Sequence, residues 1–215
     1  AAEALPLSLN PDKMPENDRL RNIRKETLSS AWYTLYRYDF EYRRSDGRWE
    51  SRQREVYDRG NGAAVLLYDA SRRKVLLTRQ FRMPTFVNHN PDGLLTEVCA
   101  GLLDGADPEA AIRKEILEET GYRVEQLEKI LEAYSSPGAV TEILHYYLAA
   151  YHPGQKEAEG GGVPEETEDI ELLEFGFEEI LEKVRNGEIR DAKTLILIQY
   201  AALFGPLRPV AREIQ

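Results

Sequence analysis

The first half of the chain alternates between hydrophobic and polar positions with the period of β-strands. Residues 33–42 alternate in part, the turn sequence Ser-Asp-Gly follows at 45–47, and residues 49–57 have the pattern of a returning strand. Two further apolar runs, at 63–68 and 74–81, are separated by a short polar turn and predict a second hairpin. The chain is therefore expected to begin with antiparallel strands.

The second half mixes the periods of strands and helices. Residues 94–102, 124–134 and 142–151 have the apolar character of strands, whereas residues 177–185 and 191–203 repeat their apolar positions with a helical period. No internal repeat stands out. This order of elements predicts a mixed α/β (α+β) fold, in which helices cover a sheet and a small antiparallel sheet precedes it.

One helix is marked by its end signals. Asp107 is a good N-cap, Pro108 fits the first helical position, and Gly121 suits a left-handed cap at the C-terminal end. The sequence therefore predicts a helix between Pro108 and Gly121.

Three glutamates lie on one stripe of that helix. Glu115, Glu118 and Glu119 have the spacing i, i+3, i+4, which places side chains on one helical face. Carboxylates this close repel one another unless a cation lies among them, and oxygen ligands suit Mg²⁺ or Mn²⁺. Such a site is what phosphoryl chemistry needs. The alternative is a solvated acidic helix, which is common in a chain with 38 acidic residues.

Composition narrows the classes of partner. The chain has 215 residues, enough for one large domain or one domain with a smaller extension. The net charge is −10 and there is no basic block, which argues against nucleic acid and anionic membranes. We expect neither a transmembrane span nor a signal peptide. The single cysteine, Cys99, fits a reducing compartment, so we expect a cytoplasmic protein with Cys99 in its core.

The segment around the three glutamates resembles the Nudix box. In that pattern a glycine is followed by a turn and then by Arg-Glu-x-x-Glu-Glu-x-Gly. Here Gly101 is followed, after a turn one residue shorter, by Lys114 and the sequence EILEETGY at 115–122. Lysine keeps the charge of the usual arginine but loses its bidentate fork. The resemblance implies a Nudix α/β/α sandwich with a mixed sheet and a Mg²⁺-dependent hydrolase of phosphoric anhydrides.

A wider resemblance extends from about residue 28 to residue 203. Six segments look, in order, like the bacterial GDP-mannose pyrophosphatases of the Nudix superfamily: 54–69, 79–88, 97–104, 134–142, 160–163 and 187–194. This implies hydrolysis of GDP-mannose, a nucleoside diphosphate sugar, to GMP and mannose 1-phosphate. One alternative is ADP-ribose hydrolysis to AMP and ribose 5-phosphate. Another is a non-catalytic nucleotide-binding regulator, although such proteins typically lose box carboxylates that this chain keeps.

The composition of the N-terminal segment and the resemblance together suggest a division of the chain, and the resemblance implies a homodimer. Residues 1–26 are expected to be a partly ordered extension, and residues 27–60 an antiparallel sheet that crosses to the partner chain. Residues 61–208 would form the Nudix hydrolase domain, and residues 209–215 a tail. In this arrangement one site draws residues from both chains.

Roles for the acidic residues follow from the same resemblance. Glu118 would orient its neighbours or hold the catalytic base. The metal ligands implied for Mg²⁺, or for Mn²⁺ as its substitute, are the Ala100 carbonyl, Glu115, Glu119 and Glu168.

Glu168 lies in a long acidic loop at 152–171. Loops of this length are usually functional or disordered, so the segment is either a lid that brings a carboxylate to the metal or an acidic surface linker. The loop is two residues longer than in the resembled family. Glu165 and Glu166 therefore remain competitors of Glu168.

Basic and aromatic residues complete the expected substrate site. Arginine suits bidentate phosphate recognition, although each basic residue taken singly could be an ordinary surface charge. Trp32 either packs on the base or is a core aromatic, and Glu97 either supports the site or is a strand-end charge. The positions matched to substrate contacts are Trp32, Arg54, Glu55, Arg82, Ala100, Gly101, Leu102, Glu142, Thr167 and Lys193.

Overall fold

The computed structural model describes residues 15–163 and 167–208 of the 215-residue chain. The chain divides into two compact units. The first contains the residues up to Asn61 together with Tyr134–Ile143, and the second contains Gly62–Ala133 together with the residues from Leu144 onward.

The first unit is a three-stranded antiparallel sheet of β1 (Leu20–Ser30), β2 (Thr34–Arg43) and β3 (Trp49–Asp58), in that order. The predicted hairpin is β2 and β3, and Gly47 has a φ of +84° in its turn. β1 begins inside the segment expected to be an extension. Its sequence gave no strand signal because most of its residues are polar and exposed, and pairing with β2 holds it in place.

The second unit is built on a mixed seven-stranded sheet. The strands are β4 (Gly62–Asp69), β5 (Lys74–Phe81), β6 (Leu94–Glu97), β7 (Cys99–Leu102), β8 (Glu128–Tyr134), β9 (Ile143–Ala150) and β10 (Glu171–Gly176). Their order is β10-β5-β4-β9-β8, with β6 paired to β5 and β7 paired to β4. β4 runs parallel to β9 and antiparallel to β5 and β7.

Helices cover both faces of this sheet. Ala64 and Leu66 of β4 belong to one buried cluster, and Val65 and Leu67 belong to another, as expected when a strand is buried on both sides. The helices are α1 (Met83–Val87), α2 (Pro108–Glu115), α3 (Phe177–Arg185) and α4 (Ala192–Phe204). The first cluster includes residues of α3 and α4, and the second includes residues of α2.

The layered α/β/α arrangement expected for this chain is confirmed, and several details differ. The strand expected over residues 124–134 begins at Glu128. The strand expected over residues 94–102 is two strands, because β6 pairs with β5 and β7 pairs with β4. The break falls at Val98, whose backbone N–H donates to the Thr194 hydroxyl at 2.8 Å instead of to a strand. β10 and the short α1 were not predicted, since neither carries a periodic pattern long enough to detect.

Among the described residues, no helix has the combination of length and apolar character that crossing a membrane requires.

Candidate metal and phosphate site

The helix that carries the three glutamates begins and ends where the sequence predicts. The Asp107 side chain accepts hydrogen bonds from the N–H groups of Glu109 and Ala110, at 3.0 and 3.1 Å. Gly121 ends the helix with a φ of +74°, and a Cβ at this position would lie 2.0 Å from the Ala158 carbonyl oxygen. Only glycine fits both the backbone conformation and the contact.

The helix changes its winding in the middle of the glutamate cluster. α2 ends at Glu115, and residues Ile116–Thr120 continue it as a turn of π-helix. The Thr120 hydroxyl donates to the Ile116 carbonyl oxygen at 2.5 Å, which supports this wider turn. Spacing alone predicted a continuous α-helix, so the local winding around Glu118 and Glu119 differs from that expectation. π-Helical turns inside helices occur frequently at functional sites.

Glu119 is buried beside two other carboxylates. Its side chain is 2% exposed, and its Oε2 atom has no hydrogen-bond partner among the described residues. Burial raises the pKa of Glu119 to about 8, and the negative charges of Glu115 and Glu168 act in the same direction. A hydrogen bond with the Cys99 thiol opposes the rise. A cation bound here would compensate for the buried negative charge.

Glu115 lies directly against the backbone of β7. A Cβ added to Gly101 would lie 2.2 Å from Glu115 Cδ, so the glycine creates the space for this carboxylate. Ala100, the expected carbonyl ligand, immediately precedes Gly101 in β7 and pairs with Ala64 of β4. The sheet therefore fixes the backbone next to which the Glu115 carboxylate sits.

Glu118 forms an ion pair within the helix. Lys114 Nζ is 2.9 Å from a carboxylate oxygen of Glu118, at spacing i, i+4. Lysine at this position thus still pairs with a box glutamate, although without the fork of arginine. Glu118 is partly exposed, in contrast to the buried Glu119.

The glycine-rich part of the long loop docks onto the end of the π-helical turn. The N–H groups of Gly161 and Gly162 donate to the carbonyls of Glu119 and Glu118, at 2.8 and 3.1 Å. Val163 N–H donates to Glu168 Oε2 at 2.9 Å, which holds that carboxylate on the loop. The two bonds from the glycines satisfy carbonyls that a helix end leaves free.

Glu168 therefore approaches the box glutamates, whereas Glu165 and Glu166 lie outside the described residues. Thr167, next to Glu168, has a positive φ of 60°. Within residues 15–163 and 167–208, no group of three or more His, Cys, Asp or Glu side chains has the arrangement of a metal site. The carboxylates are neighbours without forming a closed ligand cage. The partnerless Glu119 oxygen, near the negative charges of Glu115 and Glu168, nevertheless fits a divalent cation.

A cluster of charged side chains around the buried Glu97 lies near the carboxylates. Arg82 donates from Nε and Nη2 to the two carboxylate oxygens of Glu97, at 2.7 and 2.9 Å. Lys193 Nζ donates to Glu97 Oε2 at 2.6 Å and to Asp191 at 2.9 Å. The structure thus brings together two predicted substrate residues, Arg82 and Lys193, on one shared anion. From the sequence, Glu97 could either support the site or be a strand-end charge. No local pattern could link it to Lys193, which lies 96 residues away.

The other predicted substrate residues lie in the first unit. Trp32 is 85% exposed, which excludes the alternative of a core aromatic. Arg54 and Glu55 are also exposed, on β3. Glu142 is buried, with a carboxylate oxygen 3.5 Å from Arg59 Nε.

Family models and known proteins match most of this chain. Residues 19–57 match the model of the "GDP-mannose pyrophosphatase NudK N-terminal domain", and residues 58–196 match that of the NUDIX domain. The chain is similar to a GDP-mannose pyrophosphatase of Yersinia enterocolitica, with 50% identity over 190 residues, which are 88% of this chain and 98% of the relative. For a GDP-mannose pyrophosphatase of Cronobacter sakazakii the identity is 54%, over 85% of this chain and 95% of the relative. For a GDP-mannose pyrophosphatase of Yersinia pestis the identity is 48%, over 86% of this chain and 92% of the relative.

Proposed function

Because the chain belongs to the Nudix hydrolases, in the family of the GDP-mannose pyrophosphatases, we propose that it hydrolyses GDP-mannose to GMP and mannose 1-phosphate. The observation that carries the substrate is the similarity to enzymes of that name, which covers 92 to 98% of their length in the three relatives described. Both the N-terminal and the NUDIX models match, so the similarity includes the unit that precedes the hydrolase domain.

The reaction we propose is attack by water on one phosphorus of the pyrophosphate. The oxygen of water bonds to that phosphorus, the water loses a proton to the catalytic base, and the bond between the phosphorus and the bridging oxygen breaks. The bridging oxygen leaves with the other phosphate group. A divalent metal, when bound, neutralises phosphate oxygens and activates water, and we assign this role to Mg²⁺, with Mn²⁺ as a substitute. The residues that would hold it are the Ala100 carbonyl, Glu115, Glu119 and Glu168.

The chain's own residues have distinct roles in this proposal. Arg82 and Lys193 bind phosphate oxygens and offset the negative charge of the substrate. Glu118, which pairs with Lys114, orients its neighbours on the helix. Leu102 and Gly101 contribute backbone beside the substrate.

The loop that carries Glu168 acts in this proposal as a lid. Its glycines hydrogen-bond to the end of the π-helical turn, so a movement of the loop would act directly on the backbone of Glu118 and Glu119. Closure would bring Glu168 and Thr167 to the pyrophosphate and separate the site from bulk solvent, with the attacking water retained.

We further propose a homodimer in which the first unit of one chain supplies residues to the partner's site. One face of its sheet has a cavity of about 320 Å³ lined by Leu20, Ile23, Tyr38, Phe40, Arg54 and Val56. An apolar face of this kind, together with the exposed Trp32, supports cover by another chain. In this arrangement Trp32, Arg54 and Glu55 would contact the substrate bound by the partner, and Glu142 would contact the sugar.

We place the enzyme in the cytoplasm, with no nucleic acid or membrane as partner. The support is the acidic net charge of −10 and a single cysteine that is free and buried.

Product analysis tests the proposal. The protein is incubated with GDP-mannose, ADP-ribose and other nucleotide sugars, with Mg²⁺ or with EDTA, and the nucleotide products are separated. We expect GMP from GDP-mannose at the highest kcat/KM, and loss of activity with EDTA. Preferential formation of AMP from ADP-ribose would reject the proposed substrate, and full activity in EDTA would reject the metal.

A further inference from the structure

A single buried carboxylate is shared by two cationic side chains at the edge of the proposed site. Glu97 is 1% exposed, at the end of β6. One of its oxygens, Oε2, accepts from both Arg82 Nη2 and Lys193 Nζ, at 2.9 and 2.6 Å. The other, Oε1, accepts from Arg82 Nε at 2.7 Å. Both carboxylate oxygens are therefore occupied by cations.

The charges of this cluster depend on one another. Burial opposes ionisation of Glu97, but the hydrogen bond from Arg82 and the charge of Lys193 outweigh it and lower the pKa of Glu97 below its ordinary value. Arg82 and Lys193 would repel each other if they met without an anion between them. A shared oxygen keeps the two cations side by side in one geometry.

We propose that Glu97 is a positioning residue that holds Arg82 and Lys193 as one cationic pair for the pyrophosphate of the substrate. The inference rests on the proposed function, and it assigns Glu97 no contact with the substrate.

The remaining donors of the two cations support this role. Glu97 occupies the Nε and Nη2 edge of Arg82, which directs the Nη1 edge away from Glu97 on a side chain that is 39% exposed. Lys193 uses two of its three N–H groups on Glu97 and Asp191, which leaves one. Each cation is thus fixed on one side and keeps a donor for a phosphate oxygen.

Glu97 also fixes the orientation of Arg82 in the neighbourhood of Glu119. The positive charge of Arg82 acts to lower the pKa of Glu119, so the two side chains are near each other. The bidentate pair with Glu97 holds the plane of the guanidinium in one orientation.

The other end of the cluster is anchored in the fold. Asp191 caps α4 by accepting from Thr194 N–H at 2.9 Å, and the Thr194 hydroxyl accepts from Val98 N–H at 2.8 Å, at the break between β6 and β7. Asp191 also holds Lys193. Lys193 is therefore set by the start of a helix and by Glu97 together.

Kinetics of Glu97→Gln test the proposal. The variant keeps the shape of the side chain and removes its charge, so both cations lose their fixed position. We expect kcat/KM for GDP-mannose to fall on the order of tenfold to a hundredfold, chiefly through KM, because misplacement of a binding group by about 1 Å can cost this much. When Lys193 is already replaced by Met, Glu97→Gln should lower kcat/KM by a much smaller factor. One of the two cations that Glu97 positions is then absent. If Glu97→Gln lowers kcat/KM by the same factor with and without Lys193→Met, the proposal is overturned.

A matched control separates positioning from folding. Asp69 is another buried carboxylate, 3% exposed, paired with Arg72 at 2.6 Å at the end of β4. Asp69→Asn removes a comparable buried ion pair and should lower the melting temperature while leaving KM unchanged. If it raises KM as much as Glu97→Gln does, the effect is general destabilisation and the proposal fails.

Chemical labelling tests the contact without substrate. Trace acetylation with acetic anhydride, followed by peptide mass spectrometry, gives the reactivity of Lys193 relative to the exposed Lys156. We expect the ratio to rise several-fold in Glu97→Gln, and also in Glu97→Asp, which keeps the charge but withdraws the carboxylate and serves if the first variant does not fold. An unchanged ratio in both variants would overturn the proposal.

Together, these experiments test the proposed hydrolysis of GDP-mannose and the positioning role of Glu97 separately. A wild-type protein that leaves GDP-mannose intact rejects the proposed function, whatever the labelling shows. A wild-type protein that cleaves GDP-mannose, together with a Glu97→Gln variant of unchanged KM, rejects the positioning role alone.

Discussion

Gly101 and Glu115 are complementary in space: a Cβ on Gly101 would lie 2.2 Å from Cδ of Glu115 and 2.3 Å from its Oε1. The carboxylate fills the volume that any other residue at position 101 would use. Because Gly101 lies in β7, within the sheet, its backbone has little freedom to move aside. Because Gly101 has no side chain, the carboxylate of Glu115, a proposed metal ligand, can lie against the backbone of β7.

Gly101→Ala should therefore displace the Glu115 carboxylate and lower activity. The added methyl group cannot coexist with the observed rotamer, and we expect kcat/KM to fall about a hundredfold, with a higher Mg²⁺ requirement. Steady-state kinetics over a Mg²⁺ titration measure both effects. Gly176→Ala is the matched control, because a Cβ there meets only an ordinary contact at 3.9 Å. Near wild-type kinetics for Gly101→Ala would contradict the role given to Glu115.

Glu119→Gln should abolish most turnover while the fold remains intact. Loss of a charged metal ligand removes transition-state stabilisation, and we expect a decrease on the order of a thousandfold or more in kcat. Circular dichroism verifies the fold, and kcat is measured at saturating Mg²⁺. A kcat close to that of the wild type under those conditions would remove Glu119 from the metal site.

The same substitution should stabilise the metal-free protein at alkaline pH. The folded protein holds a proton on Glu119 up to a pKa of about 8, whereas the ordinary value is 4.5. Between these values the folded state binds more protons, so the stability contributed by this group is lost as the pH rises. In EDTA, we expect Glu119→Gln to have the higher melting temperature at pH 8.5 and little difference at pH 4.5. A wild-type advantage at pH 8.5 in EDTA would show that the carboxylate is compensated without metal.

Glu168→Gln should lower kcat much more than the affinity for substrate. A carboxylate on a lid acts mainly when the site is closed, so ground-state binding depends on it little. The measurement compares kcat with the dissociation constant of GDP-mannose in EDTA. Glu165→Gln and Glu166→Gln are matched controls in the same loop. If one of them loses activity and Glu168→Gln does not, a different loop glutamate serves the site.

Local signals made part of this site predictable from the sequence. The cap at Asp107, the proline at the helix start and the left-handed Gly121 define the helix that carries the glutamates, and each acts on its immediate neighbours. Apolar runs likewise predicted β4 and β5, because burial on both faces requires near-continuous apolar sequence.

Features that depend on distant partners were not predictable. The break at Val98 comes from Thr194, which is 96 residues away, and the pairing of Glu97 with Lys193 spans the same distance. The π-helical turn at Ile116–Thr120 accepts a hydrogen bond from the loop at Gly161. β1 is a polar strand that exists through its backbone pairing with β2. Periodicity and spacing describe neighbouring residues along the chain, so they do not predict these contacts.

Mixing of two inactive variants tests whether one site uses residues of two chains. Arg54→Ala and Glu119→Gln are each expected to be inactive as pure proteins. If Arg54 serves the partner's site, each heterodimer has one site in which both residues are intact. Random exchange at equal concentrations makes half of the dimers heterodimers, so we expect recovery of about a quarter of the wild-type activity. Mixing Glu115→Gln with Glu119→Gln is the control: both residues are proposed to serve the site of their own chain, so that mixture should stay inactive. If exchange is verified by native mass spectrometry and the first mixture also stays inactive, each site is built from a single chain.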